Sequence, residues 1–487
     1  WGVVSVGACL LGVGTKEVAV TAPLFVLLAD RVFFCDSILA ALRKRPLYYL
    51  ALAATWLPLA GLVLSTGGDR GGTFTWGGSA FLNYWLTQPE ALTRYLGLAL
   101  WPHPLIFEYG VAANGNPLVV AGCTLVVLLF MALTVGLWWR RRPEALGLGA
   151  FLLVLAPTSL LPGMQIIVEH RMYLPLAGLM AVLVAATTAW LGRRGLVACA
   201  VLALLGGLMT AARNRVYQDP LLLWSDTVAK RPSSAKAQNN LGLIYHRQGN
   251  LDAAIQHYEL AVKLEPAVAQ TRFNFALALR DAGRSAEAIQ AYTEAVRILP
   301  HFFQAHALLG VLLAKEGDPA ASRHLQVAYD LNPELAEVHL GMGLLLAANG
   351  RNADAVQAFE RALQLAPGLA DARLGLGVVL AKLGRLPEAS KQLKRLTAEV
   401  PALAEAHANL GIVLAESGEL EASIACYREA LRLKPGHATA HYNLGNSLVQ
   451  LQRWAEAREE FETAVRLKPD FSAAQGMLDR MKSVDLR

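Results

Sequence analysis

Charge is what this sequence has least of. Only 17% of its 487 residues are Asp, Glu, Lys or Arg, 54% are hydrophobic, and the mean hydropathy is +0.37. A soluble globular chain carries about a quarter charged residues. Cysteine is rarer still. The five (Cys9, Cys35, Cys123, Cys199 and Cys426) are scattered, with no CxxC and no zinc-ligand spacing, so neither a disulfide framework nor a metal site is expected. Interleaved basic and aromatic residues are lacking too, which argues against nucleic acid as a partner. The sequence opens on Trp1, already inside an apolar run, with no charged segment before it. That is not a secretory signal, and the chain is expected to be a fragment lacking its amino-terminal part.

The scarcity is uneven. Residues 1–212 hold 13 Lys/Arg and 8 Asp/Glu, against 31 and 30 in residues 213–487. Long apolar runs near 1–14, 18–34, 47–66, 117–139, 145–161, 174–191 and 195–212 are transmembrane candidates, since about 20 residues cross the hydrocarbon. Three basic clusters, Arg43-Lys44-Arg45, Arg140-Arg141-Arg142 and Arg193-Arg194, punctuate them. If alternate runs span once, all three fall on one side, which the positive-inside rule makes the cytoplasm. The pI near 9.0 then reports topology. Loops 67–116 and 162–173, and everything after 212, would face outward. The first of these carries Phe81–Leu86 and Arg94–Leu98, which suit either a helix lying in the membrane interface or the wall of a lipid-substrate cleft. The expected location is the inner or plasma membrane, multi-pass, with the carboxy-terminal half extracytoplasmic and in contact with lipid.

The second half is periodic. Prolines recur at 232, 266, 300, 333, 367, 401, 435 and 469, almost always 34 apart. A small residue keeps step at Gly242, Ala276, Gly310, Gly343, Gly377, Gly411 and Gly445. Ala254, Tyr258 and Ala261 reappear as Ala355, Phe359 and Ala362, and again as Ala457, Phe461 and Ala464. Glycines at 249, 283, 317, 350, 384 and 418 mark turns. Small residues allow close helix approach, aromatics fill the gap opposite, and prolines end the second helix. This pattern resembles the tetratricopeptide repeat (TPR). Departures are a residue missing after Gly317, Leu396 where Ala is usual, and Ser423. The fold class is therefore all-α: a polytopic transmembrane bundle (1–212), a short linker (213–220) and a TPR α-solenoid (221–483). The solenoid would open with a lone second helix bearing Trp224 and close with a cap at 471–482.

The resemblance implies helix hairpins that bind a peptide or protein in a groove. One groove position, just before each Leu-Gly pair, holds Asn240, Asn274, Leu308, Gly341, Gly375, Asn409 and Asn443. Asparagine both donates to and accepts from a peptide backbone, although it also serves packing between repeats. Such a row resembles the asparagine ladder of the O-linked N-acetylglucosamine transferase superhelix, broken here in the middle. There Leu340, Leu344, Leu374 and Val378 offer an apolar face for a hydrophobic segment.

Two charged motifs lie where charge is costly, Thr15-Lys16-Glu17-Val18-Ala19-Val20-Thr21-Ala22-Pro23 and Val168-Glu169-His170-Arg171-Met172-Tyr173-Leu174-Pro175. Lys16 and Arg171 could clamp a lipid phosphate, with Glu17, Glu169 and His170 beside them. Alternatively, Lys16–Glu169 or Glu17–Arg171 pairs staple two helices. These motifs, with Asn83-Tyr84-x-x-Thr87-Gln88, resemble those of bacterial membrane TPR proteins similar to the transmembrane-and-TPR O-mannosyltransferases. The resemblance implies a C-type glycosyltransferase that passes a sugar from a polyprenyl-phosphate donor to an acceptor hydroxyl, the solenoid recruiting the acceptor protein. It also implies a catalytic Asp pair in the first outer loop. This sequence has no Asp-Asp, so the base would lie upstream of Trp1 and the fragment itself would be inactive. The competing class is a non-catalytic scaffold for envelope proteins. No other cofactor is implied.

Overall fold

The structure, a computed structural model, describes residues 21–57, 79–100, 106, 116–160 and 173–485. Among them the regular elements are helices, which divide between two compact units, Trp1–Asn250 and Leu251–Arg487.

In the first unit the helices are α1 (Ala22–Phe33), α2 (Ile38–Lys44), α3 (Pro46–Ala54), α4 (Ser79–Leu100), α5 (Pro117–Trp139), α6 (Glu144–Leu160), α7 (Tyr173–Leu191), α8 (Arg193–Gln218), α9 (Pro220–Lys230) and α10 (Ala235–Arg247). Among the described residues, α5 and α8 are long and apolar enough to cross a membrane. Asn116 caps α5 by accepting from the Leu118 amide at 3.0 Å, and Pro117 supplies a first residue that needs no backbone partner. The apolar helices α6 and α7 are shorter. What is described of the expected spans 18–34 and 47–66 is short helix, interrupted because Ser37 starts a new helix and Arg45 ends it. Inside the first of these, Asp30 is buried, accepting from Arg45 at 3.2 Å and Tyr49 at 2.5 Å. The segment expected to form an interfacial helix or the wall of a lipid cleft lies within α4. Its Ala91 and Tyr95 are buried in one cluster with Phe151 and Leu155 of α6.

Small residues let α6 and α7 touch. A Cβ on Gly178 would stand 2.5 Å from the Gly147 carbonyl oxygen and 3.1 Å from the Ala150 Cβ, and Val182 packs at Gly147. Those pairings make the two helices antiparallel, the small-residue contact typical where backbones must approach. The end of α7 therefore shares an end of the bundle with the start of α6. At the same end Arg141 contacts Asp36, and the Arg31 guanidinium lies 5.8 Å from the centre of the Trp138 ring. All three basic clusters thus gather at one end.

The expected linker 213–220 is almost entirely helical. α8 runs to Gln218, and Asp219 caps α9 by accepting from the Leu221 amide at 2.8 Å. Arg213, only 8% exposed, donates to Asp226 at 2.6 Å and lies over the Tyr217 ring. Burial pushes the Asp226 carboxyl up, but Lys230 and Arg213 outweigh it and hold it below its usual range. These ties join α8 to α9 inside the first unit, which runs on to Asn250.

The second unit holds α11 (Leu251–Leu264), α12 (Ala269–Asp281), α13 (Ser285–Ile298), α14 (Phe303–Glu316), α15 (Ala321–Leu331), α16 (Ala336–Ala348), α17 (Asn352–Leu365), α18 (Ala370–Lys382), α19 (Leu386–Glu399), α20 (Ala404–Glu416), α21 (Leu420–Leu433), α22 (Ala438–Gln450), α23 (Trp454–Leu467) and α24 (Ser472–Asp485). From α12 on, the even-numbered helices open the hairpins and the odd-numbered ones return. Successive first helices also pack on one another, α14 on α16, α16 on α18, α18 on α20 and α20 on α22, and so form an inner layer. One large side chain from each second helix is buried between them: Tyr292, Leu325, Phe359, Leu393, Tyr427 and Phe461. Phe359 shows why the neighbours are small. A Cβ on Gly343 of its own hairpin, or on Gly375 of the next, would come within 2.6 Å of its ring. Leu396 takes the usual alanine position fully buried, and Ser423 satisfies its hydroxyl on Leu420 O (2.8 Å) and Ser447 Oγ (3.1 Å). Ala474, Leu478 and Met481 of α24 close the last hairpin.

A second device recurs at every repeat. The fourth residue of each first helix hydrogen-bonds the carbonyl of the proline six residues earlier. Gln238 donates to Pro232 at 3.0 Å, Arg272 to Pro266 at 3.0 Å, and Arg373 to Pro367. Histidine Nε2 does so at His306 (3.1 Å), His339 (2.8 Å), His407 (3.0 Å) and His441 (3.1 Å). A carbonyl only accepts, so each of these imidazoles carries a proton on Nε2. The bond satisfies a carbonyl left without a partner where the second helix stops.

In the second unit five hairpins turn on a glycine with φ between +72° and +81°, and the sixth uses Gln452 at φ +59°. A side chain in that region costs about 1 kcal/mol. Gln452→Gly should therefore raise stability by about 0.5–1 kcal/mol, read as a higher melting temperature with unchanged helical circular dichroism.

Candidate functional site

The residues expected to bind a partner stand on first helices. Asn240 lies on α10 of the first unit, where the Asn239 amide reaches its oxygen at 3.5 Å. In the second unit Asn274 accepts from Gln270 at 3.1 Å and Asn409 donates to the Glu405 carbonyl at 2.8 Å. Asn443 is half-buried on α22. Each carboxamide thus bonded still has capacity for a ligand, since an amide offers two donors and two lone pairs. The break in the row has a packing cause. Gly341 and Gly375 sit where a Cβ would collide with Leu325 and Phe359. An unbroken ladder is incompatible with those side chains.

The apolar expectation needs one correction. Leu340, 3% exposed, is a core residue and presents no surface to a ligand, because it belongs to the cluster around Phe359 and Leu376. Leu344 and Leu374 pack against the same cluster but stay half-buried. Val378 and Asn409 meet in an open depression of about 300 Å³ between α18 and α20, with Ala381, Lys382, Ile412 and Glu416 on its sides and Leu393 at its floor. Leu393 beneath it is fully buried, at the register held elsewhere by Tyr292, Leu325, Phe359, Tyr427 and Phe461. Its chemistry is mixed: apolar walls, one carboxamide, one cation and one anion.

Nearby, Lys315 of α14 reaches Asp371 of α18 at 2.6 Å, passing over α16. Packed helices lie about 8–10 Å apart, so such a pair requires a tightly curved inner layer. Lys16, Glu17, Glu169, His170 and Arg171 lie outside the described residues.

The fourth-position donors add electrostatics that spacing alone did not reveal. His441 Nδ1 meets Glu460 at 2.5 Å while Nε2 holds Pro435, so both ring nitrogens face acceptors, an arrangement that favours the imidazolium. The Glu460 contact, against burial and Arg466, raises its pKa above the usual 6.5. Burial lowers that of His306 and of its neighbour His324.

Models of the tetratricopeptide repeat match residues 233–301, 273–336, 346–410 and 408–471. The chain carries tetratricopeptide repeats. No curated protein matches it. Solved structures similar to it include YrrB, described as a TPR protein with an unusual peptide-binding site, at 22% identity over 45% of this chain and 96% of that one (TM-score 0.28). Others are the APC/C hetero-tetramer Cut9-Hcn1, at 20% over 66% and 55% (TM-score 0.45), and MamA from Desulfovibrio magneticus RS-1, at 26% over 35% and 96% (TM-score 0.31).

Two predictions follow from the TPR geometry. Val378→Phe should narrow the depression that Val378 lines and weaken any ligand that enters it by about tenfold, or roughly 1.4 kcal/mol, with the fold intact by circular dichroism. The His441 contribution to stability is present below pH 6.5 and lost as pH rises through its raised pKa. The advantage of wild type over His441→Gln in melting temperature should therefore shrink from pH 6 to pH 9. A gap that widens would contradict the ion pair.

Proposed function

We propose that this protein is a membrane-anchored TPR protein whose inner layer holds a segment of a partner protein on the extracytoplasmic side. The observation that carries the reading is the depression between α18 and α20, where Val378, Ile412 and Asn409 offer apolar walls beside a backbone-matching carboxamide. Binding through first helices suits an extended chain, because they form one continuous layer while the second helices stand outside it. Anchoring rests on the apolar α5 and α8 and on the basic clusters gathered at one end of the first unit.

A photo-crosslinking amino acid at Val378 or Ile412 should give discrete protein adducts in cells, while one at exposed Arg361 on α17 should not. Equal labelling from both positions would remove the groove. Protease added outside spheroplasts should cleave the repeats, and their complete protection would reverse the topology.

The finer reading, from the motif resemblance, is a polyprenyl-phosphate-sugar-dependent protein glycosyltransferase whose solenoid presents the acceptor. Lys16→Ala or Arg171→Ala in the full-length protein should then abolish sugar transfer and leave membrane insertion intact. Normal transfer in both would leave the scaffold reading.

A further inference from the structure

The register that ties each first helix to a proline places a side chain of the second helix against the donor's free face. In one hairpin both residues are histidines. His306 (α14) and His324 (α15) bring their Nδ1 atoms to 3.0 Å, with ring centres 5.2 Å apart. His306 Nε2 lies 3.1 Å from the Pro300 carbonyl. That bond fixes the tautomer: Nε2 carries the proton and the Nδ1 lone pair of His306 faces His324. A ring nitrogen held by a backbone carbonyl while the other is left bare is the outer-shell arrangement of metal-binding histidines.

We propose that His306 and His324 form a two-histidine site for a divalent transition-metal ion, water completing its coordination. In the hydrogen-bonded pair the lone pair lies along the Nδ1···Nδ1 line, so each ring turns by about 40° to face one ion. With metal–nitrogen bonds of about 2.05 Å, nitrogens 3.0 Å apart subtend roughly 95° at the ion. That is the cis angle of a tetragonal Cu²⁺ or Ni²⁺ site, well below the tetrahedral angle of structural zinc. Binding exchanges the Nδ1–H···Nδ1 bond for two metal–nitrogen bonds. His324 moves its proton to Nε2, so the neutral pair releases none. Asp318 adds attraction, whereas Arg323 and, if protonated, His301 oppose it, so the site is expected to bind moderately. The other hairpins differ: the same register pairs Arg373 with Gln392 and His441 with Glu460.

The test uses the full chain, free of affinity tag, in detergent. Cu²⁺ titration followed by electron paramagnetic resonance should show one saturable equivalent of moderate affinity with an axial spectrum and splitting from two nitrogens. His306→Gln keeps the proline bond, as Gln238 does to Pro232 at 3.0 Å in the first repeat, so the repeat is preserved while the ligand is lost. His306→Gln and His324→Ala should each weaken that equivalent at least tenfold, and His441→Gln should leave it unchanged. A raised melting temperature with Cu²⁺ in wild type but in neither ligand variant would support the site. Equal binding by wild type and the double variant, or loss in His441→Gln instead, would overturn it.

Discussion

A single large side chain wedged between consecutive first helices governs the repeat half. Phe359 touches the position of Gly343 in its own hairpin and of Gly375 in the next, so one ring fastens two repeats at once. Everything else accommodates that ring. The small residues recur because a Cβ would strike it, and the first helices lie close because nothing stands between them except such side chains. The depression on the inner layer lies between α18 and α20, above the buried Leu393, so the candidate binding site rests directly on this packing.

The same constraint explains what could and could not be read from the residues. Prolines, turn glycines and the alternation of small and aromatic residues are fixed in type, so their 34-residue spacing exposes the hairpins directly. The donors at 238, 272, 306, 339, 373, 407 and 441 keep the same spacing, yet they hide in plain view because glutamine, arginine and histidine do one job with different groups. Gly341 and Gly375 look like interruptions of an asparagine row until Leu325 and Phe359 are seen behind them. Leu340 shows the limit of helical periodicity. It shares a stripe with Leu344, but only the packing of α16 decides that the first is core and the second half-open.

The apolar half is harder to read, since hydropathy does not say which face of a helix meets protein. Tyr95, in the stretch read as interfacial or cleft-lining, has one face buried beside Phe151, a contact that composition does not reveal. Asp30, costly in an apolar run, is explained by Arg45 and Tyr49, which sit 15 and 19 residues away. Charge clustering fares better, because repulsion and solvation act on the whole loop. Arg141 finds Asp36 across more than a hundred residues of sequence, at the end of the bundle where the other basic turns collect.

The joint between α8 and α9 has a mechanical corollary. A hinge needs several residues free to change their backbone angles, and here a single one, Asp219, separates the helices, its carboxylate already engaged in capping. Arg213 bolts the far side of the bend to Asp226. A load applied to α9 is accordingly delivered to the end of α8 as torque, with no slack chain to absorb it.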